Sequence, residues 1–370
     1  MSIRSLLVVS CLMLASVSQA APSVTWVTEQ SPKLSTPAFH IGGRMVAEKS
    51  SAGTAYRHQW PGTYAELAFK GSDVFFRIGE GEPIVHVLVD GKLVETLSKP
   101  APGLYQVLGL DADRHMLRLE TATESQSHSN VFGGFALNSS SKRLTPPKRS
   151  RQIEFIGDSH TVGYGNISPK TECTTDEVWT TTDTSQAFGP IVAKHYDADY
   201  QINAISGRGI VRNYNGFAAD SLPLAYPYSL LEKSNAYRNS GWHPQIIVIA
   251  LGTNDFSTAL NEGEHWRTRE ELRADYETTY VKFVQSLREK YRRAFFILWS
   301  TDGVGNEIPA EVNNAFTRLQ QSGETRIAYL PINGLGMGGC HGHPSVADHQ
   351  LIASRLSEFI DAHQQLWSGK

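Results

Sequence analysis

The chain has 370 residues, with 34 Lys and Arg against 37 Asp and Glu, for a formal net charge of −3. That balance excludes the strongly basic surface of a nucleic-acid binder and offers nothing to an anionic membrane. Hydrophobic residues make up 40% and charged residues 19%, an ordinary globular composition, and at about 150 residues per domain the length predicts two domains.

The first element is a leader. Arg4 precedes the apolar run "LLVVSCLMLASV" and the small-residue ending "SQA" at Ala20. This is the layout of a secretory signal peptide, and the run is too short for a confident membrane span. Cleavage near Ala20 would send the protein to the periplasm or the medium. A lipid anchor at Cys11 is the weaker alternative, because few apolar residues precede that cysteine. Beyond the leader only Cys173 and Cys340 remain. In an oxidising compartment an even pair is expected to form one disulfide, the alternative being two separate buried thiols.

Residues 24–138 read as all-β. "ELAFKGSDVFFRIGEG", "IVHVLVDGKLVETL" and "HMLRLETAT" are short β-rich runs, and Asp90-Gly91 is a strong hairpin signal. Strands at this spacing predict a β-sandwich of jelly-roll type. Tyr56, Trp60 and Tyr64 read as its core rather than as a sugar platform. The polar, basic, proline-containing stretch 139–150 has linker composition.

From residue 151 to 370 strands and helices alternate. "RQIEFIGD", "YQINAIS", "PQIIVIALGTND", "AFFILWS" and "RIAYLPI" are apolar strands. Leu272, Tyr276, Tyr280, Phe283, Val284, Leu287 and Tyr291 make one helical face, and Ile352, Leu356, Phe359, Ile360 and His363 make another. Trp242 reads as packing. The alternation predicts a doubly wound α/β domain, whose ligands bind beyond the carboxyl ends of the strands.

Four punctuated stretches fall at that edge: "IGDSHTVGYGN", "ISGRGI", "LGTND" and "HGHPS". Singly they are open. Ser159 and Asn254 read equally as helix caps, Gly207 and Gly209 as a turn, and His343 as a solvated side chain. Together, the order Ser159, Gly207, Asn254, His343 at successive strand ends resembles the SGNH (GDSL-like) hydrolase superfamily over residues 151–366. With the preceding β-domain and the spelling "GDSHTVGYGN", the chain resembles carbohydrate esterase family two.

That resemblance implies a jelly roll ahead of an SGNH domain, and removal of O-acetyl groups from plant cell-wall polysaccharide of xylan or mannan type. It implies Ser159 as nucleophile and His343 as general base. The oxyanion hole would be the backbone N–H groups of Ser159 and Gly207 with the Asn254 side chain. It implies an acetylated polysaccharide or oligosaccharide as partner, a monomer, and no cofactor. The sequence departs from the superfamily at Cys340, which stands where an aspartate three residues before the histidine is usual. His341 cannot replace that acid, so a backbone carbonyl is expected to orient His343. Asp302 is the alternative acid, and Asp348 a weaker one expected to face solvent. Trp299 is expected either to stack on a sugar or to close the core, and Trp179 to line the cleft. His160, His341 and His343 match no zinc spacing, so no metal is expected. Two other readings stay open: a lipase or lysophospholipase, and a carbohydrate-binding protein with a secondary hydrolase domain.

Overall fold

The computed structural model describes residues 21–28, 33–50, 53–302 and 305–368, so the expected leader and Cys11 lie outside the described residues. The first part is a sandwich of two antiparallel sheets. One runs, in spatial order, Ser23–Val27, Gly103–Leu108, Val74–Ile78, Asn130–Ala136, Gly53–His58 and Met45–Ser50. The other runs Lys142–Arg143, Tyr64–Lys70, Arg114–Thr121, Ile84–Val89 and Lys92–Ser98, with His40–Gly42 also pairing Tyr64–Lys70. Alternate residues of the two inner faces, among them Leu67, Phe69, Phe76, Val87, Val107, Leu117 and Phe135, form its core. The Asp90-Gly91 hairpin closes as expected. Both residues have positive φ, +52° and +77°, which matches the turn to the strand twist.

The stretch of linker composition is tied down on both sides. Lys142 and Arg143 pair with the Tyr64–Lys70 strand, and the Arg149 guanidinium bonds Glu66 and Asp199. Its composition reads as loop, but its charges have partners distant in sequence.

The second part is a five-stranded parallel sheet in the order Ala198–Ala204, Arg151–Gly157, Ile246–Ala250, Phe295–Thr301, Ile327–Ile332. Successive residues face opposite layers. Ile247, Ile249, Phe296 and Leu298 pack under the helices Arg269–Lys290 and Glu307–Gln321. Ile153, Phe155, Val248, Ile297 and Trp299 pack under Phe188–His195 and Val346–Ala362. The strand Arg151–Gly157 lies between Ala198–Ala204 and Ile246–Ala250, so the chain reverses its winding there. This is the topological switch point at which such folds hold ligands. Ser159, Gly207 and Asn254 follow these three adjacent strands.

Candidate active site

Asp158 follows the first parallel strand and caps the short helix Ser159–Val162, its Oδ1 accepting from the His160 N–H at 3.0 Å. Ser159 is thus the first helical residue at the sheet edge. His343 arrives from the far end of the sequence, just before the helix that Ser345 caps.

His343 Nε2 lies 2.9 Å from Ser159 Oγ, and His343 Nδ1 lies 2.8 Å from the Cys340 carbonyl oxygen. A carbonyl only accepts, so Nδ1 carries the proton and Nε2 of the neutral ring presents a lone pair to the serine hydroxyl. Burial pushes the imidazole down to about 4, with the Cys340 carbonyl pulling it back up. Tyr164 lies against the ring at 4.3 Å between centroids, and His160 meets it edge-on at 5.4 Å. His341 is a neighbour with the opposite tautomer: Nε2 donates to the Cys173 carbonyl at 2.8 Å and Nδ1 accepts from the Tyr164 hydroxyl at 3.1 Å.

Cys340 is disulfide-bonded to Cys173. Its side chain is therefore diverted to the bridge, while its main-chain oxygen stands where an aspartate would reach from the same position. Gly165 makes room for it. At φ +56° a glycine is favoured there, and a Cβ would sit 2.3 Å from the Cys340 Cβ. The Gly165 carbonyl accepts from the Cys340 N–H, and the Asn166 carbonyl from the Val346 N–H.

Asn254 Nδ2 donates to Asp158 Oδ2 at 3.1 Å and to the Arg208 carbonyl at 2.9 Å. Both amide hydrogens are therefore committed. Asn254 ties the Ser159 turn to the Gly207 turn, and it reaches an oxyanion only by giving up one of these bonds. Burial pushes the Asp158 carboxyl up to about 7, against the His160 N–H. Asp255 accepts from the N–H groups of Ile210, Val211 and Arg212, which shapes the segment after Gly207.

Several expected residues fall elsewhere. Asp302 does not hold His343: it accepts from the Thr301 hydroxyl at 3.1 Å and the Gly334 N–H at 3.4 Å. Asp348 is buried rather than solvent-facing, sharing a capping box with Ser345 and accepting from the Gly336 N–H. Trp299 is 2% exposed and packs edge-on against Phe188, so it closes the core. The Trp179 ring lies under the Lys99 ammonium, 4.7 Å from its centroid. His160, His341 and His343 do not converge on one point. Among the described residues no three His, Cys, Asp or Glu side chains gather as a metal site would require.

Sequence reasoning passed over other residues. Tyr214 and Phe217 are 52% and 42% exposed, and Phe217 borders Gly207. The run "NYNGF" held the signal, since a glycine-bearing loop with two aromatics at an active edge has few packing reasons. The sandwich also reaches in: Glu124 and Gln126 bond Ser206. Beyond that turn opens an interdomain cavity of about 830 Å³, lined by polar residues that include Arg57, Glu80, Glu82, Gln126, Arg208 and Asp220.

This fold and this edge define a GDSL-like hydrolase. The family described as GDSL-like Lipase/Acylhydrolase matches residues 153–356, and Carbohydrate esterase 2 N-terminal matches residues 41–147. An acetylxylan esterase / glucomannan deacetylase of Cellvibrio japonicus (strain Ueda107) is 47% identical over 331 residues, 89% of this chain and 92% of that protein. A solved carbohydrate esterase superposes with a TM-score of 0.86 at 45% identity, covering 90% of this chain and 100% of that one. A family two carbohydrate esterase from Clostridium thermocellum, solved in complex with cellohexaose, superposes at 0.77 with 28% identity, covering 89% and 100%. The chain belongs to carbohydrate esterase family two and is a carboxylic ester hydrolase.

Proposed function

We propose that the protein is an exported O-acetyl esterase that deacetylates plant cell-wall polysaccharide of xylan or mannan type by a Ser159–His343 mechanism. The observation that carries this reading is the 2.9 Å contact from Ser159 Oγ to His343 Nε2, with Nδ1 bonded to the Cys340 carbonyl. His343 Nε2 takes the hydroxyl proton as Oγ attacks the acetyl carbon. The Ser159 and Gly207 N–H groups receive the charge that develops on the carbonyl oxygen. His343 then returns the proton to the departing sugar oxygen, leaving acetyl-Ser159. Water, deprotonated by the same nitrogen, releases acetate. The printed activity of the Cellvibrio relative supports the substrate class. Exposed Tyr214 and Phe217 offer faces for sugar rings beside the reacting centre.

Acetate release from acetylated xylan, glucomannan and pectin tests the reading. Ser159→Ala and His343→Ala should each remove activity, since nucleophile and base act as a unit, while His341→Ala keeps most of it. A dead His341→Ala beside an active His343→Ala would reverse the assignment of the base. Rates that rise from p-nitrophenyl acetate to p-nitrophenyl octanoate would favour a lipase.

A further inference from the structure

The turn that carries Gly207 is held by the other domain. The Arg208 N–H donates to the Ile205 carbonyl at 3.2 Å, closing a four-residue turn with Ser206 and Gly207 at its centre. Gly207 has φ +80°, and Ser206 is not among the positive-φ residues. That is the signature of a type II turn. A type II turn converts to type I by a flip of its central peptide, here Ser206–Gly207, and a glycine in the third position tolerates both forms. In a trans peptide the C=O and N–H point in opposite directions. The flip therefore reverses the aim of the Gly207 N–H without breaking the chain or moving Ser159.

Ile205 is fixed by its N–H to the Gly157 carbonyl at 3.3 Å, so the turn begins firmly beside the first parallel strand. Its central peptide is another matter. Among the described residues, the partners of both main-chain groups of Ser206 come from the β-sandwich. Gln126 Nε2 donates at 3.0 Å to the Ser206 carbonyl, the oxygen of that central peptide, and the Ser206 N–H, on the Ile205–Ser206 peptide before it, donates to Glu124 Oε2 at 3.1 Å. The loop behind them is braced. The Ala122 carbonyl accepts from the Thr184 N–H at 2.7 Å, and Gln59 Nε2 donates to the Gln126 carbonyl at 3.3 Å.

We propose that Gln126 is a positioning residue that locks the Ser206–Gly207 peptide in its type II orientation, with Glu124 anchoring the peptide before it, so that the β-sandwich sets the aim of an oxyanion donor in the catalytic domain. The proposal rests on the reading of the Gly207 N–H as such a donor. A flipped peptide binds substrate as before but loses stabilisation of the tetrahedral state, so the effect belongs in kcat. Loss of one full donor costs about 100- to 1,000-fold, and a turn flipped for part of the time costs correspondingly less.

The test uses the full chain with p-nitrophenyl acetate and with phenylboronic acid, which adds to the serine hydroxyl as a tetrahedral anion. Gln126→Leu should lower kcat by roughly tenfold with KM changed by less than about twofold, and Glu124→Leu, which frees only the preceding peptide, should lower it less. Each loses a hydrogen bond to Ser206, so their melting temperatures should fall by a few degrees, and kcat is compared well below them. Glu124→Gln keeps an acceptor for the Ser206 N–H and should restore kcat. In 15N-glycine-labelled protein the Gly207 amide should shift when the boronate adds to wild type, and shift much less in Gln126→Leu. If wild type and Gln126→Leu show the same Gly207 shift and the same kcat, the lock is wrong and the donor stands. If the wild-type Gly207 amide does not respond to the adduct, the donor itself is wrong and the lock falls with it.

Discussion

His343, the base of the proposed mechanism, is kept neutral by its surroundings. Burial is the largest influence and pushes it down to about 4. The Cys340 carbonyl opposes that and His341 adds to it. In the proposed mechanism the unprotonated ring is the active form, so activity is lost only as pH falls through the folded value. An exposed imidazole would titrate near 6.5. The profile of kcat/KM should therefore stay level from neutral pH downward and fall off near 4. Tyr164 supplies much of the cover, its ring 4.3 Å from that of His343. Tyr164→Ala should admit water and move the acid limb up toward 6.5. A wild-type limb at 6.5 would contradict the buried-base picture. A limb near 7 that ignores Tyr164→Ala belongs to Asp158, which burial raises to that range.

The short turn Cys340–Gly342 carries out at the level of an element what the usual aspartate does with one side chain. It sets the tautomer and direction of His343 through a main-chain oxygen, and it is pinned to Cys173 by the disulfide and to Gly165 by a backbone bond. A carbonyl orients the ring but brings no full negative charge to an imidazolium. Aim then depends on the turn staying in place. Reduction, or Cys340→Ser, should lower kcat more than it raises KM. It should also cost about 2–4 kcal/mol of stability, the usual worth of a disulfide. Gly165→Ala should act the same way, because its Cβ would collide with Cys340. An unchanged kcat with only a lowered melting temperature would make the bridge purely structural. Much of this architecture was legible beforehand. The order Ser159, Gly207, Asn254, His343 follows from strand ends, and the buried face of Arg269–Lys290 follows from its period. One residue is open in the sequence and two mislead, for physical reasons. Trp299 is open between the cleft and the core because it nears a strand end, and alternation turns it to the Phe188 layer. Asp348 looked solvated by its distance along the helix, although "SVAD" spelled the capping box that buries it. Asp302 ends a strand on the right edge, yet its loop bonds go to Thr301 and Gly334.

At the scale of the molecule, the sandwich is joined to the α/β domain by buried charge, which no local pattern reveals. Arg44, from the turn after His40–Gly42, and Glu154, in the first parallel strand, are both 0% exposed and lie 110 residues apart. Arg44 reaches Glu154 at 3.4 Å and the Tyr228 carbonyl at 3.0 Å, and the rings of Trp60, Tyr226 and Tyr237 surround it. Glu154 also accepts from Asn203, Tyr226 and Trp242. A second group joins Arg118 and Arg149 to Glu66, Glu120 and Asp199 across the same seam. The edge strand Ala198–Ala204 is consequently buried along its whole length, as an edge must be when another domain covers it. Removing one member of a buried pair strands the other, typically at about 3–5 kcal/mol. Arg44→Met should destabilise by that order, and adding Glu154→Gln should recover part of the loss because the remaining donors then face a neutral amide. Calorimetry of wild type should show one unfolding transition, since neither domain can leave without exposing these charges. Arg44→Met should separate or broaden it. Two resolved transitions in wild type would mean that the domains fold independently, and the seam would then be a contact rather than a shared core. The same seam holds the Glu124–Gln126 loop against Ser206, so Arg44→Met should lower kcat while the protein is still fully folded. Unaltered turnover at a temperature well below its melting point would separate the stability of the seam from the chemistry at Ser159.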